Sequence, residues 1–500
     1  MSDQERPIDS PEYVLHDLDA PSDNEEEPLR EEEEDVPEKE YEAAYKEVQN
    51  ALKDMSVSIT CDHWSSKDNQ HSIMGGTATF VDDQFRRHTF VISIDEIQGS
   101  HNADQVKKYM EDVRKEFALK EVVCAVTDSA RVMEAGMRRA DIDRVPCILH
   151  SLHLMVTQSV DGWEAGKEFV KKLRSITETL HRSRPVATDH MERLAEANIR
   201  VAKIPIEIRV RWNSMLSMLR VCEEQISVLN ETMSQAGKQK LKDIEITQLR
   251  KLVEVLSHCE EFASELSRAD STASSIPPLV YSLKETIEGF KYDGSSVTEL
   301  IDILLPQLER RLEPYLHSPI ILKAFLTDPR FAHWEHVISD MDREETLRSL
   351  AAEFSPDDTN TKPSGRAIAK PKSGLLARAQ PKKSLAVSGT FEAEWKSFAA
   401  FISNTSVADH LEFFRVFASK FPLVSAAARK YQSIPPSSID SERLFSGLGL
   451  IVGNKQRNRI QSATMKKLMF VGAHCKRNQL RFHDSCEFTA YNSATFEEIE

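Results

Sequence analysis

Hydrophobic and polar positions divide the chain into two kinds of region. Between residues 56 and 150 short apolar runs recur at strand length, and between residues 151 and 350 apolar positions lie three and four apart. The first pattern predicts β-strands, with helices near 103–117 and 129–140, and the second predicts α-helices throughout. Three runs in succession, followed by runs that alternate with helices, predict a mixed α/β sheet. The predicted strands are SVSITCDHW, IMGGTATFV, HTFVISIDEI, VVCAVTD and VPCILH.

Two shifts in composition mark the ends of these regions. Residues 1–45 are acidic and poor in aromatic side chains, so they bury too little apolar area to offset the entropy of ordering, which predicts disorder. Residues 351–390 are rich in Pro, Ser, Gly, Lys and Arg, which is typical of a mobile basic linker, a nuclear-import signal or a phosphate-contacting arm. The predicted units are the tail 1–45, a sheet-forming part 46–155, an all-helical part 156–350, the linker 351–390, a second helical part 391–480 and a tail 481–500.

The net charge of −16 is concentrated at the start of the chain. Residues 1–40 hold 17 acidic and 3 basic side chains, and the other 460 residues hold 63 acidic and 61 basic ones. The body is therefore nearly neutral and can carry a local basic face for nucleic acid. Two interpretations of the acidic head stay open, a solubilising tail and a tail that competes with nucleic acid for a basic groove.

Composition also argues against several classes of protein. The chain has no run of 18 apolar residues, so neither a transmembrane helix nor a membrane partner is expected. Its first residues contain no apolar signal region, and seven scattered cysteines indicate a reducing compartment. No two cysteines have the C-x-x-C spacing, so a self-contained zinc finger is not expected.

Two of the predicted strands end in an aspartate. Asp62 closes the run VSITCD and Asp128 closes the run VVCAVTD. Carboxylates gathered at one sheet edge can hold two Mg²⁺ ions about 4 Å apart, which activate an attacking oxygen and stabilise a leaving one in phosphoryl transfer. An Asp after a strand is also an ordinary turn or helix N-cap residue. The pair alone leaves both interpretations open.

The segment 413–459 carries the most specific pattern of the chain. It contains paired aromatic residues, an FP step, an A-R-x-Y-x-x-I-P turn, an S-x-x-S-E-R-x-F-S stretch and a K-x-R-x-R stretch. This pattern resembles the C-terminal dimerisation region of hAT-family DNA transposases, with two phenylalanines where that family usually has two tryptophans. The matching residues are Phe413, Phe414, Phe421, Pro422, Ala428, Tyr431, Ile434, Pro435, Ser441, Glu442, Arg443, Phe445, Ser446, Lys455, Arg457 and Arg459.

Shorter matches to the same family lie upstream in the order that the family has. Each is weak alone, but six ordered matches across about 400 residues are hard to obtain by chance. The six stretches are TCDHWSS at 60–66, GSHNADQV at 99–106, TDSARVM at 127–133, CILHSLHL at 147–154, RVRWNSM at 209–215 and LTDPRF at 326–331.

The resemblance implies an RNase H-like catalytic sheet that is interrupted by the helical part 156–350 and completed by the dimerisation region 391–480. It also implies that Glu442 returns to join Asp62 and Asp128 as a catalytic triad that binds two Mg²⁺ ions. The local pattern agrees, because prolines and then N-cap residue types precede Glu442 and place it in the first turn of a helix. The helix dipole there favours an ionised carboxylate. A purely capping role for Glu442 is the alternative.

The resemblance also suggests supporting residues. Cys147 and His150 are expected to buttress the sheet near the triad, and their C-x-x-H spacing is alternatively half of a zinc site. Arg211 and Trp212 are expected to handle the DNA end, because Arg holds phosphate and Trp stacks on an unpaired base. Core packing is the alternative for Trp212. Three basic residues are expected either to contact phosphates or to lie in a solvated charged loop, and these are Lys455, Arg457 and Arg459.

Two hypotheses for function follow from the resemblance. In the first, the protein is a nuclear, Mg²⁺-dependent DNA transposase or nuclease that forms a homodimer or a higher oligomer through its C-terminal region. In the second, it is a domesticated, non-catalytic nuclear dimer that binds DNA or protein partners. The three retained acids favour the first hypothesis. The N-terminal BED zinc finger with which such transposases usually begin has no counterpart before Cys61, which favours the second.

Overall fold

A five-stranded mixed sheet is built by the first part of the chain. The computed structural model describes residues 38–65, 72–97, 102–207, 212–292, 297–355, 390–445 and 462–483. The strand order is β3-β2-β1-β4-β5, in which β1, β2 and β3 are antiparallel neighbours and β1, β4 and β5 are parallel ones. The predicted mixed α/β sheet is therefore confirmed. The strands are β1 (Ser56–Ser65), β2 (Ser72–Val81), β3 (Arg87–Glu96), β4 (Glu121–Thr127) and β5 (Arg144–Pro146).

The fifth strand is shorter than the sequence predicts. VPCILH is predicted as a strand, but only Arg144–Pro146 pairs with β4, and a helix begins at Ile148. The residue between them, Cys147, has an extended backbone and is the N-cap of that helix. A short run that is apolar on all sides does not distinguish a buried strand from a buried helix, and this explains the error.

Helices make up most of the remaining described chain. The helical character predicted for the part 156–350 is confirmed, and its first helix already begins within the sheet-forming part. The helices are α1 (Glu38–Leu52), α2 (Ala103–Glu116), α3 (Arg131–Arg139), α4 (Ile148–Gly162), α5 (Glu164–Arg182), α6 (Arg184–Glu196), α7 (Trp212–Glu224), α8 (Ile226–Gln235), α9 (Asp243–Leu266), α10 (Ile276–Tyr292), α11 (Thr298–Arg311), α12 (Pro319–Leu326), α13 (Asp340–Phe354), α14 (Phe391–Ile402), α15 (His410–Phe417), α16 (Pro422–Tyr431) and α17 (Ser462–His483). Within the described ranges, none of these helices has both the length and the apolar character needed to cross a membrane.

Helix α1 lies partly inside the segment that composition predicts to be disordered. Because the helix begins at Glu38, the prediction of disorder for residues 1–45 is wrong for its last residues, and the earlier ones lie outside the described ranges. The helix docks through Tyr41, whose ring centroid lies 5.6 Å from that of Phe470 on α17. Apolar side chains four positions apart form its buried face, and these are Ala44, Val48 and Leu52.

Helices α14 to α16 share one hydrophobic core with the helices of the part 156–350. The indole N–H of Trp395 donates to the carbonyl of Leu326 at 2.8 Å, which joins α14 to α12. The region that is predicted to dimerise is therefore built into the body of the protein. Its aromatic side chains pack on one another, and these are Phe398, Phe401, Phe413, Phe414, Phe417 and Phe421.

A buried segment, residues 432–438, leads from α16 to the edge of the sheet. The hydroxyl of Ser433 forms a 2.8 Å hydrogen bond with that of Ser58 on β1. On its other side, the carbonyl of Ile434 accepts the N–H of Ala273 from the helical part at 2.9 Å. The segment thus runs between the sheet and the helical part, and it is followed by a helix whose described part is residues 439–445.

Candidate carboxylate site at the sheet edge

Strand topology places two of the predicted acids at one edge of the sheet. Asp62 lies near the end of β1, and Asp128 follows the last residue of β4. Because β1 and β4 are parallel neighbours, their carboxyl ends meet at the same edge. On its other side, Asp62 pairs with Gly75 of β2. Sequence pattern and sheet topology therefore agree on the placement of these two carboxylates.

Glu442 reaches this edge from the C-terminal region. The prediction that it lies in the first turn of a helix is confirmed, because helix 439–445 begins directly after Ser438. The Glu442 N–H donates to the Ser438 carbonyl at 3.1 Å, and the Ser438 hydroxyl donates to Glu442 Oε1 at 3.4 Å. Ser438 is itself held by its N–H, which donates to Cys147 Sγ at 3.4 Å. The Glu442 side chain is exposed.

Asp62 is affected electrostatically by both of the other acids. Its pKa is raised to about 7, chiefly because the carboxyl group is withdrawn from water. The N–H of His63, which donates to Asp62 Oδ1 at 2.8 Å, opposes the rise, and the negative charges of Asp128 and Glu442 add to it. Asp128 and Glu442, from distant parts of the sequence, thus both lie within electrostatic range of Asp62.

Asp128 is held by its main chain as well as by its carboxylate. Its Oδ1 accepts the N–H of Ala130 at 3.1 Å, which is the turn interaction that an Asp after a strand commonly makes. Its carbonyl accepts a hydrogen bond from the guanidinium of Arg144 on β5, which also donates to Thr127 Oγ1 at 2.7 Å. Arg144 is therefore a positive group beside the acids that the sequence analysis did not identify, and its position two strands from β1 gave no local signal.

The three carboxylates do not form a closed cation site. Among the described residues, no three His, Cys, Asp or Glu side chains are arranged so that together they could hold a metal ion. Asp62, Asp128 and Glu442 therefore interact through their charges without converging on a common point. The same observation bears on the zinc interpretation of Cys147 and His150, for which those ranges supply no set of ligands.

Cys147 and His150 play different parts in the structure. Cys147 is fully buried at the start of α4, and its thiol accepts the N–H of Ser438, so it contacts the turn that precedes Glu442. Burial raises the pKa of this thiol, which keeps it neutral. The His150 side chain is exposed on α4. The structure thus places Cys147, but not the His150 side chain, in a supporting position.

Trp212 is the first residue of α7 and is only 6% exposed, within the main core. It also lines a cavity of about 480 Å³ together with Lys171 and Arg174 of α5. Core packing accounts for most of its surface. Several other predicted residues lie outside the described ranges, and these are Arg211, Lys455, Arg457 and Arg459, together with most of the linker 351–390.

Comparison with known proteins identifies two regions of the chain. Residues 393–473 match the model of the hAT family C-terminal dimerisation region, and residues 145–259 match that of the ZBED1 RNase-like helical domain. Zinc finger BED domain-containing protein 4 of Homo sapiens is 22% identical over 403 residues, which is 76% of this chain and 34% of that protein. The chain thus spans about a third of the length of this curated relative. Because these matches agree with the ordered motifs, the chain is similar to hAT transposase-like proteins and carries a region that matches the family's C-terminal dimerisation region.

Proposed function

We propose that this transposase-derived protein cleaves or transfers DNA strands at an RNase H-like sheet, with Asp62, Asp128 and Glu442 as ligands of Mg²⁺. The observation that carries the proposal is that the parallel strands β1 and β4 place Asp62 and Asp128 at one edge of the sheet, where Glu442 also acts on the pKa of Asp62. Further support comes from the mixed sheet, from the position of Glu442 at the start of a helix, and from the family match across residues 393–473.

The three side chains have the oxygen ligands that suit Mg²⁺, but in the structure they do not converge on one point. Carboxylate oxygens are the ligands that Mg²⁺ prefers. A cation would also offset the negative charges of Asp128 and Glu442, which add to the effect of burial in keeping Asp62 partly protonated near neutral pH. Glu442 is the exposed member, so its side chain has room to change rotamer when a cation binds.

The cation and the residues around the three carboxylates each have a role in the proposed reaction. When bound, Mg²⁺ supplies the Lewis acidity that activates an attacking oxygen and stabilises the leaving one. Asp62 has to release its proton before it can act as a ligand. Arg144 holds the main chain of Asp128 at the end of β4, and Ser438 holds Glu442 at the start of its helix.

Binding of Mn²⁺ to the full-length chain tests the proposed ligands. The folded-state pKa of Asp62 is about 7, above its ordinary value, so below pH 7 the carboxyl retains a proton that competes with the cation. We expect the affinity to be constant well above pH 7 and to fall by up to about tenfold per pH unit below it. Calorimetric titration between pH 6 and pH 8.5 measures this, and Asp62→Asn should weaken binding and remove the pH dependence.

A matched control is available on the same sheet. Asp83 lies in the turn between β2 and β3 with a 93% exposed side chain, so Asp83→Asn makes the same chemical change away from the site. It should leave the Mn²⁺ affinity unchanged. If the parent binds no Mn²⁺, or if Asp62→Asn binds it like the parent, the metal-binding proposal is wrong.

A second candidate function is a non-catalytic dimer. The observation in its favour is that the three carboxylates do not converge in the structure. This function needs only the C-terminal dimerisation region and a partner, which we propose to be DNA. We also propose a nuclear location for either function, on the strength of the relation to hAT and BED-domain proteins.

Self-association can be tested at one exposed side chain of the dimerisation region. Val416 on α15 is 61% exposed and lies within the matched residues 393–473, so Val416→Arg places a charge on that surface without disturbing the core. We expect dimer dissociation to become easier by about tenfold or more. Sedimentation of the full-length chain is the measurement, because α14 to α16 share their core with the helical part.

Met341 on α13 provides the control, because it is 72% exposed and lies outside the matched region. Met341→Arg should sediment like the parent. A parent that is strictly monomeric at micromolar concentration contradicts self-association. Equal behaviour of the parent and Val416→Arg shows that the face around Val416 is not the contact.

A further inference from the structure

A glycine lies directly opposite the first carboxylate. In the pairing of β1 with β2, Asp62 stands across from Gly75. A Cβ atom added at Gly75 would lie 2.8 Å from Phe445 Cζ and 3.1 Å from Leu444 Cδ2. Both side chains belong to helix 439–445, which also carries Glu442. The absent side chain of Gly75 therefore provides the space into which this helix docks.

The docked side chains have little freedom to move aside. Phe445 is 5% exposed and is packed in a small cluster that is distinct from the main core. A methyl group at position 75 overlaps the ring tip, and the ring is confined by these neighbours, so the displacement passes to the helix backbone. The other members of the cluster are Ile73, Ile94, Leu444, Met465 and Met469.

We propose that Gly75 is a positioning residue for Glu442: its bare backbone receives Phe445, and this contact sets the helix that holds Glu442 beside Asp62. The inference rests on the proposed function, in which these two acids share a divalent cation. Glu442 and Phe445 are three residues apart, so they lie on neighbouring rows of one helical turn. A displacement of the ring is therefore transmitted directly to the carboxylate.

A comparison with the neighbouring Gly76 shows whether the effect is specific to Gly75 or reflects a general need for glycine in β2. A Cβ at Gly76 would meet Tyr109 Oη at 2.3 Å, on the side of the sheet covered by α2, and would not meet helix 439–445. Gly75→Ala and Gly76→Ala thus make the same change in adjacent residues, and only the first affects the contact with Phe445. Gly289→Ala on α10 is a further control, since a Cβ there meets no atom within 4 Å.

The experiment combines Mn²⁺ titration with amide hydrogen exchange of residues 439–445 in the full-length chain. In Gly75→Ala we expect about tenfold weaker Mn²⁺ binding and faster exchange in this helix. The double variant Gly75→Ala with Phe445→Leu has room for the new methyl group and should recover both properties. Folded Gly76→Ala and Gly289→Ala should resemble the parent in both measurements.

The two measurements separate failure of the inference from failure of the proposed function. A parent that binds no Mn²⁺ contradicts the cation site, while the exchange data still decide whether Gly75 positions the helix. Unchanged exchange in Gly75→Ala, or a double variant no better than the single one, overturns the inference. If Gly75→Ala does not fold and the double variant does, the contact with Phe445 is confirmed by the rescue.

Discussion

Replacing Asp128 with asparagine is expected to lower the rate of Mg²⁺- or Mn²⁺-dependent DNA cleavage by at least about a thousandfold. The change removes one of three carboxylates at the sheet edge and keeps the shape of the side chain. Because the amide oxygen can still accept the N–H of Ala130, now 3.1 Å from Oδ1, the turn after β4 should survive. Loss of the charge also removes one of the causes that raise the pKa of Asp62. The substrates should include a supercoiled plasmid and labelled duplexes with nicks, flaps and hairpin ends.

Controls for the cleavage assay follow from the same strands. Asp143 is exposed immediately before β5, and Asp143→Asn should cut DNA like the parent. Glu442→Gln should be as inactive as Asp128→Asn if the third carboxylate acts with the first two. Equal cutting by parent and Asp128→Asn would mean that the activity belongs to another site or another protein. A parent that cuts none of the substrates leaves the non-catalytic dimer as the function.

The sheet and its first two acids could be predicted because their signals are local. The run VSITCD contains Val57, Ile59 and Cys61, all fully buried, and VVCAVTD gives the neighbouring strand. The polar residues between them, Ser58 and Thr60, are also buried, and each forms a hydrogen bond with a hydroxyl group of another segment. Thr60 bonds to Thr77 at 2.6 Å, for example. The sequence therefore predicts that these segments are strands. It does not predict that both faces of the strands are buried.

The third acid could be placed only through resemblance. The prolines and N-cap residue types before Glu442 predict that it lies at the start of a helix. They do not predict that this helix lies at the edge of the sheet near Asp62. Its position depends on the buried path of residues 432–438 and on the contact between Phe445 and Gly75, both of which join parts of the chain that are far apart in sequence. Two adjacent glycines inside a strand, Gly75 and Gly76, indicate that another part of the protein packs closely against the strand backbone. The sequence does not show that this part is the helix carrying Phe445.

Arg330→Met is expected to cost about 3–5 kcal/mol of unfolding free energy, because it leaves a buried carboxylate without its partner. Asp328 is 0% exposed, and its Oδ2 accepts Arg330 Nη2 at 2.7 Å and the Ser274 hydroxyl at 2.6 Å. Methionine replaces much of the apolar stem of arginine but none of its charge. Denaturant unfolding of the full-length chain measures the loss. The double variant Arg330→Met with Asp328→Asn should recover a large part of it, and a single variant as stable as the parent contradicts the argument.

The pH dependence of stability provides a second readout of the same buried centre, because His410 lies within electrostatic range of Asp328 and Arg330. Burial lowers the pKa of His410 to about 4, so the folded protein keeps this imidazole neutral where the unfolded chain takes up a proton. Stability from this group is fully present above the unfolded value near 6.5 and is lost as the pH falls toward 4, by the order of 3 kcal/mol. His410→Gln should flatten this part of the profile. A parent whose stability is level between pH 6.5 and pH 4.5 contradicts the assignment.

Loss of Arg330 is also expected to lower the Mn²⁺ affinity of the carboxylate site. The loop that holds Asp328 follows Thr327, whose hydroxyl oxygen lies 3.2 Å from Nε2 of Gln432, at the start of the buried path to Glu442. The Gln432 amide also donates to the carbonyl of Ala324 at 2.7 Å. If the helical part is loosened at Asp328, the segment that leads to Glu442 is therefore loosened as well. We expect weaker Mn²⁺ binding in Arg330→Met even where the protein is fully folded, and recovery in the double variant, because contacts with the helical part fix the path by which Glu442 reaches the sheet.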